Sequence, residues 1–156
     1  MNQSPFADDS LAKAEKGIFV IETGQISALV LCGGKGQRFD GADKPLEIFN
    51  GPEGPGTMVD YVIRRLPQGV ERFISANRNS SQYARRGMVL TDVETGLSSQ
   101  SPLVGIYAGL RACRTPWLLI CPGDMPRLLP SWYEPLLMEA ATAARPRVLH
   151  DGVRLQ

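Results

Sequence analysis

The sequence predicts an α/β fold in which a mostly parallel sheet lies between layers of helices. Short apolar runs recur along the chain, and several are nearly continuous, as expected for strands buried on both faces of a sheet. Segments with helical spacing of apolar residues separate these runs, so that strands and helices alternate as in βαβ units. The predicted strands end at glycine, amide or carboxylate residues, which are Gly33-Gly34, Asn77, Asp92 and Asp124.

The first predicted strand covers residues 26–32 and ends at the glycine pair Gly33-Gly34. Residues 1–24 are mostly polar and are expected to form an N-terminal tail or extension. Their apolar patch, residues 18–21, is either an early strand or no part of the fold. A glycine-rich loop follows the first strand as far as Pro45.

The middle of the chain alternates between helix and strand signals. Thr57 is a suitable helix N-cap, apolar residues follow it at helical spacing, and Pro67 ends the pattern. The expected elements are a loop over residues 51–56, a helix over 57–66, a strand over 71–76, a short helix over 81–86 and a strand over 88–91.

The last third of the chain continues the alternation. Pro102 suits the first turn of a helix, where its missing N–H costs little. The expected elements are a helix over residues 102–113, a strand over 117–121, a helix over 130–144 and the start of a strand over 147–150.

Composition limits the class of protein. The 156 residues fit one domain, and 43% hydrophobic with 21% charged residues are ordinary globular values. A net charge of +1 gives no field that would attract nucleic acid or a membrane. The segment 1–12 lacks the pattern of a signal peptide, and no run reaches the roughly 18 apolar residues of a membrane span.

The three cysteines, Cys32, Cys113 and Cys121, are odd in number and show no C-x-x-C spacing. Cys32 and Cys121 lie in or just after apolar runs, where a free cysteine behaves as a small buried hydrophobe. These features favour a reducing, cytoplasmic compartment. The single histidine, His150, has no evident partner and is expected to be structural.

The segment from Leu31 to Phe39 predicts a phosphate-binding loop. Three glycines within four positions (Gly33, Gly34, Gly36) let a backbone approach a ligand closely and direct N–H groups toward it. Lys35, Arg38 and Lys44 add positive charge suited to a triphosphate. The spacing fits neither a Walker A loop nor a dinucleotide fingerprint. The alternative is a tight turn with basic neighbours.

Asp124 is a candidate magnesium ligand. It follows a buried apolar strand and lies between Pro122 and Pro126, on a stiff backbone. Mg²⁺ is commonly held by one or two carboxylates together with phosphate oxygens and water. The alternative is an Asp that caps the following turn.

Two further groups lie at the same predicted sheet edge. Asn77 and Asp92 each follow a strand and could contact a nucleoside, although both are also ordinary turn residues. The segment from Ser101 to Gly105 opens a helix that could receive an anionic or polar group, and Gly105 in its first turn would allow close approach. Taken by itself, simple helix initiation by Ser and Pro explains this segment better.

These motifs, in this order, resemble the molybdenum cofactor guanylyltransferase family. The first loop is similar to its L-x-G-G-x-G-x-R signature followed by D-K-P-L, which here is residues 43–46. Residues 75–79 resemble its A-N-R segment, residues 102–105 its P-L-x-G segment and residues 122–126 its P-C-D-x-P segment. The resemblance covers about residues 26–156, including a late H-D-G at His150. It implies a three-layer α/β/α, Rossmann-like fold of the nucleotide-diphospho-sugar transferase type.

The resemblance implies transfer of GMP from GTP to molybdopterin or the molybdenum cofactor, with release of pyrophosphate, in the cytoplasm. Mg²⁺ is the implied cofactor, Asp124 its ligand, and molybdoenzymes or their chaperones are implied recipients of the product. Lys44, Arg38 and Asp124 are the implied catalytic residues. The implied nucleotide-binding residues are Leu31, Gly33, Gly34, Lys35, Gly36, Lys44, Asn77, Asp92 and Asp124. Alternatives are a cytidylyltransferase, a sugar-phosphate nucleotidyltransferase, or a catalytically impaired nucleotide-binding module.

The sequence departs from the family pattern in several places. Ser101 replaces the usual Gly before Pro-Leu, Gly123 replaces the usual Cys before Asp, and the stretch 51–56 is longer than the corresponding loop. Family members also continue beyond the last residue here. We therefore expect residues 25–156 to form a nucleotidyltransferase domain that lacks its C-terminal part.

Overall fold

A computed structural model of the protein describes residues 21–33, 42–96 and 101–140. Its strands are β1 (Ile26–Leu31), β2 (Ile48–Gly51), β3 (Gly54–Thr57), β4 (Glu71–Ser75), β5 (Met88–Leu90) and β6 (Trp117–Pro122). Its α-helices are α1 (Met58–Arg64), α2 (Ser80–Tyr83), α3 (Pro102–Ala112) and α4 (Glu134–Ala140). Short 3-10 helices cover Thr23–Gln25, Lys44–Leu46 and Asp92–Thr95.

Most of the described residues belong to one compact unit, Thr23–Trp132. A second unit comprises Met1–Glu22 and Tyr133–Gln156, and its described part includes α4. Among the helices that the structure describes, none has both the length and the apolar character needed to cross a membrane.

A four-stranded parallel sheet is the centre of the larger unit. The strand order is β5-β4-β1-β6, and all three strand pairs are parallel. Strand β1 pairs on both sides, which explains why its residues from Ile26 to Val30 are buried and why its sequence is apolar throughout. The parallel sheet with flanking helices confirms the predicted α/β class.

Helix α3 lies on one face of this sheet and contacts all four strands. Leu29, Phe73, Leu90 and Ala108 form the buried cluster between them. The helix approaches closely because Gly109 faces β1, where an added Cβ would stand 2.6 Å from Leu29 Cδ2. The glycine therefore sets the distance between helix and sheet.

The prediction of a loop over residues 51–56 is wrong. Strands β2 and β3 form an antiparallel hairpin there, in which Ile48 pairs with Thr57 and Gly51 with Gly54. The Tyr61 ring from α1 packs over it, and the Tyr61 hydroxyl donates to the Gly54 carbonyl. A Cβ on Gly51 would lie 2.7 Å from Tyr61 Cε1, so the glycine is required by packing rather than by a loop conformation.

The ends of the helices match the sequence only in part. Thr57 caps α1, as predicted, by accepting the Asp60 N–H, and Ser101 caps α3 by accepting the Leu103 N–H. Helix α4 begins at Glu134 rather than at residue 130, because residues 130–133 form turns and Ser131 has a left-handed φ of 57°.

Other predicted elements shorten or lie elsewhere. Helix α2 ends at Tyr83, and residues 84–86 form turns instead of its predicted last turn. Residues 1–20, residues 141–144 and the strand predicted over 147–150 lie outside the described residues.

Candidate functional site

The carboxyl ends of three neighbouring strands meet at one edge of the sheet. The Cys32 N–H donates to the Ser75 carbonyl at 2.8 Å, so pairing of β1 with β4 continues one residue past β1. On the other side, the Gly123 N–H donates to the Leu31 carbonyl at 2.9 Å. The segments that leave β1, β4 and β6 therefore start side by side, at the edge where ligands bind in open parallel sheets.

Gly33 places the start of the glycine-rich segment beside Asn77. A Cβ on Gly33 would lie 3.7 Å from Ser75 Oγ and 3.8 Å from Asn77 Nδ2. The Leu31 side chain packs against the core cluster under α3, while its carbonyl lies at the edge. Four of the predicted site residues, Gly34, Lys35, Gly36 and Arg38, lie outside the described residues, and their roles stay predictions.

Lys44 and Asp124 meet at this edge. They are far apart in sequence, yet Lys44 Nζ donates to Asp124 Oδ2 at 2.9 Å. Their side chains are 41% and 37% exposed, so water screens the pair. An exposed ion pair of this kind stabilises a fold by about 0–1 kcal/mol. The pair therefore brings a cation and a carboxylate together at the edge without contributing much to stability.

The backbone around Lys44 is ordered by a short 3-10 helix, Lys44–Leu46. Pro45 is buried, and its ring fixes φ within this turn. The Leu46 N–H donates to the Asp43 carbonyl at 2.8 Å, which closes the turn. Lys44 thus extends from a closed turn and not from an open loop.

Asp43 accepts two side-chain hydrogen bonds that sequence reasoning missed. Asn79 Nδ2 donates to Asp43 Oδ2 at 2.9 Å, and the Tyr83 hydroxyl donates to Asp43 Oδ1 at 3.0 Å. Asn79 lies in the segment that resembles A-N-R, which was an available signal, but no spacing rule placed the Tyr83 hydroxyl near Asp43. Burial raises the pKa of Tyr83, so this hydroxyl remains a proton donor.

Asn77 and Asp92 are brought together, as their predicted positions at strand ends require. Asn77 Nδ2 donates to Asp92 Oδ2 at 2.6 Å, and the Asp92 N–H donates to Asn77 Oδ1 at 2.8 Å. The reciprocal pair joins the ends of β4 and β5. Asn77 remains exposed and Asp92 partly exposed, so both can also meet a ligand.

The segment at the start of α3 behaves as a helix start. Ser101 and Pro102 occupy the N-cap and the first turn. Gly105 faces the sheet, where an added Cβ would lie 2.3 Å from Ser75 Oγ and 3.3 Å from Leu31 Cδ2. The suggestion that Gly105 allows close approach of a ligand is wrong, because the missing Cβ lets α3 pack closely against Ser75 of β4.

The donors near Asp124 fit a magnesium ion held jointly with phosphate. Among the described residues, no group of three or more His, Cys, Asp or Glu side chains could hold a metal alone. Asp124 offers carboxylate oxygens that are partly open to solvent. One carboxylate with ligand oxygens and water is the arrangement that Mg²⁺ commonly adopts.

Cys32 and Cys121 have no sign of reactivity. Cys32 and Cys121 are buried, as predicted, and all three cysteines are free thiols. Burial raises the pKa of both the Cys32 and the Cys121 thiol, so neither forms a thiolate at neutral pH. Cysteine chemistry is therefore not a function of this site.

Comparison with known sequences agrees with the motif resemblance. The family profile described as the MobA-like NTP transferase domain matches residues 28–154. The chain is 41% identical to the molybdenum cofactor guanylyltransferase of Ralstonia nicotianae, over 69% of this chain and 50% of that protein. It is 40% identical to that of Pseudomonas paraeruginosa, over 81% of this chain and 62% of that protein. The chain thus spans about half to three-fifths of these curated relatives.

Comparison with solved structures supports the fold. The crystal structure of Rv0371c from Mycobacterium tuberculosis H37Rv matches with a TM-score of 0.54, over 74% of this chain and 60% of that chain. At 16% identity the likeness concerns the fold alone. Because the family profile covers most of the sequence, the chain belongs to the family of MobA-like NTP transferase domains.

Proposed function

We propose that the chain transfers GMP from GTP to molybdopterin or the molybdenum cofactor, releases pyrophosphate and forms the guanine dinucleotide cofactor. The observation that supports this most is the Lys44–Asp124 contact, 2.9 Å long, at the carboxyl edge of the sheet. It sets a cation and a magnesium-type ligand at the sheet edge where β1 ends and the glycine-rich segment begins. The guanylyltransferase names of the curated relatives support the choice of nucleotide and acceptor.

The reaction needs positioning and charge neutralisation rather than a protein nucleophile. An oxygen of the acceptor phosphate forms a bond to the α-phosphorus of GTP, and the bond from that phosphorus to the bridging oxygen of pyrophosphate breaks. The acceptor phosphate is already ionised at neutral pH. The chain therefore has to hold two anions together and offset their charge.

In this proposal Lys44 binds the triphosphate and Asp124 holds Mg²⁺. Because their ion pair is exposed, exchanging the Asp124 contact of Lys44 for a phosphate oxygen costs little. Mg²⁺ bound at Asp124 would supply positive charge to the phosphate oxygens. Lys35 and Arg38 add positive charge from the glycine-rich segment.

The remaining predicted residues bind the nucleotide around this pair. Gly33, Gly34 and Gly36 direct backbone N–H groups to the phosphates, next to the end of β1 at Leu31. Asn77 and Asp92 contact the nucleoside. We assign this site to a nucleotidyltransferase domain over residues 25–156. The odd number of cysteines supports a cytoplasmic location, and molybdoenzymes or their chaperones are proposed to receive the product.

The test is product formation from molybdopterin, Mg²⁺ and either GTP or CTP, with pyrophosphate release measured and the dinucleotide identified by mass spectrometry. We expect product with GTP. Asp124→Asn should lower turnover at least about a hundredfold, as the loss of one preorganised electrostatic group typically does, while the fold is retained.

Glu53→Gln is the matched control. Glu53 is also 37% exposed and paired with arginine, but it lies in the β2–β3 turn. It should keep full turnover. Product with CTP alone would support the cytidylyltransferase alternative, and GTP binding without product would support a binding module. An Asp124→Asn variant as active as Glu53→Gln would remove Asp124 from the site.

A further inference from the structure

The position of Lys44 depends on its backbone as well as on its side-chain contacts. Its ion pair with Asp124 is exposed and screened by water, so that contact by itself restrains the side chain only weakly. Accurate placement of a charged group against a triphosphate depends on the backbone that supports it. The contacts that hold the turn from which Lys44 extends therefore help to set where its ammonium group lies.

Among the described residues of that turn, Asp43 accepts the most hydrogen bonds. Its carbonyl closes the turn by accepting the Leu46 N–H, and each of its carboxylate oxygens accepts one side-chain hydrogen bond. The two donors, Asn79 Nδ2 and the Tyr83 hydroxyl, come from one short stretch of chain around α2. Hydrogen bonds to a carboxylate are stronger than those between neutral groups.

Both donors are held by contacts of their own. The Tyr83 side chain is fully buried, and its hydroxyl also interacts with the Cys32 thiol at the end of β1. Asn79 adopts a left-handed backbone conformation (φ 52°, ψ 32°), and its carbonyl accepts the N–H groups of Gln82 and Tyr83. Asn is among the few residues that tolerate this conformation, which directs its amide to Asp43.

The stretch that contains both donors is anchored at its far end as well. Arg86 Nε donates to Asp60 Oδ1 at 2.6 Å, and Arg86 Nη2 donates to Asp60 Oδ2 at 2.8 Å. This bidentate pair ties the end of the stretch to the first turn of α1. Asn79 and Tyr83 therefore hold Asp43 from a support that is fixed to two other elements.

We propose that Asn79 and Tyr83 are positioning residues. Their hydrogen bonds to the two carboxylate oxygens of Asp43 fix the turn that directs Lys44 toward the triphosphate. That Lys44 binds a triphosphate rests on the proposed function. That Asn79 and Tyr83 fix the turn that carries Lys44 does not.

The test uses Tyr83→Phe, which keeps the buried ring and removes only the hydroxyl, and Asn79→Gly, which removes the amide while tolerating the left-handed backbone. Ser27→Ala is the matched control. It removes a fully buried hydroxyl that donates to Glu71 Oε2 at 3.2 Å and contacts Thr115 Oγ1 at 2.9 Å, at the amino end of β1. The loss of a hydrogen-bonded hydroxyl is thus compared near Lys44 and far from it.

The first readout is the side-chain ¹⁵N NMR signal of Lys44, identified by its loss in Lys44→Ala. Only four lysines are present in the sequence, so the spectrum is simple. The Lys44 signal should shift or broaden in Tyr83→Phe and in Asn79→Gly and stay unchanged in Ser27→Ala. An unchanged signal in both variants would overturn the proposal.

The second readout is kcat/KM for GTP. We expect it to fall about tenfold in Tyr83→Phe, as the loss of a hydrogen bond to a charged group implies. It should not change in Ser27→Ala. In the Lys44→Ala background, Tyr83→Phe should have no further effect, because the residue to be positioned is gone. Additive effects of the two substitutions would contradict a positioning role.

The two readouts separate this inference from the proposed function. If GTP is not turned over by any form of the protein but the Lys44 signal responds as expected, the proposed function fails and the positioning role stands. If GTP is turned over equally by the wild type and Tyr83→Phe, the positioning role fails and the proposed function stands.

Discussion

Gly123 offers a quantitative test of how the ends of β1 and β6 pack together. The residue is buried, its N–H donates to the Leu31 carbonyl, and its φ is not positive, so alanine is compatible with the backbone. An alanine Cβ would stand 2.5 Å from Cys32 Sγ, 3.2 Å from the Leu31 carbonyl oxygen and 3.3 Å from Val30 Cγ1. Gly123→Ala is therefore expected to overpack this site.

The size of the effect follows from these distances. Unstrained contacts of carbon atoms lie near 3.5–4.0 Å, so the clash with Cys32 Sγ exceeds about 1 Å and cannot be absorbed by small shifts. Overpacking of this kind costs about 1–3 kcal/mol, which lowers the melting temperature by about 2–12 °C for a chain of this length. Cys32→Ala removes the sulfur, so Gly123→Ala should cost little more in that background.

The assay is thermal unfolding of the wild type, both single variants and the double variant. The double-mutant cycle should give a coupling free energy of about 1–2 kcal/mol, with the double variant more stable than the sum of the single effects predicts. Additive effects, or a Gly123→Ala variant as stable as the wild type, would refute the packing described here.

Two further predictions concern charged groups. Hydrogen bonds from Arg86 hold the pKa of Asp60 below its ordinary value, so the stability it contributes is complete above about pH 4 and is lost as the pH falls through the lower folded pKa. The difference in melting temperature between the wild type and Asp60→Asn should thus be largest at pH 6 and should shrink as the pH falls below about 4. A difference that does not change with pH would contradict the assignment. Lys44→Ala should weaken GTP binding about tenfold in calorimetric titration, as loss of a charged contact implies. Arg64→Ala, which removes an exposed cation from α1, should bind normally, and equal affinity of both variants would remove Lys44 from the site.

The parallel sheet could be predicted because its signals are local. Residues 26–31 are apolar at consecutive positions since β1 has neighbours on both sides. The polar residues that end each strand then had to gather at one edge, and the contacts of Asn77 with Asp92 and of Lys44 with Asp124 agree with that expectation.

The hairpin over residues 48–57 could not be predicted from local pattern. Its strands have four residues each and contain glycine and proline, which normally interrupt strands. What stabilises it is the Tyr61 ring of α1, which requires glycine at position 51. A tertiary contact thus determines the conformation of a segment whose composition is typical of a loop.

The side-chain hydrogen bonds to Asp43 could not be predicted for a related reason. Tyr83 and Asp43 are 40 residues apart, and their contact depends on α2 lying beside the end of β1. Two glycines near the site show the same limit of prediction from local sequence. Gly105 and Gly123 both mark close packing against buried side chains, whereas sequence alone suggested ligand approach at the first and gave no reason for the second.

The most direct test of the proposed site is calorimetric titration of the wild type and Asp124→Asn with GTP, CTP and ATP, each with and without Mg²⁺. We predict that the wild type prefers GTP, that Mg²⁺ strengthens its binding, and that this strengthening is absent in Asp124→Asn. Failure of the wild type to bind any of the three nucleotides, or an equal effect of Mg²⁺ on both proteins, would contradict the site proposed at the carboxyl edge of the sheet.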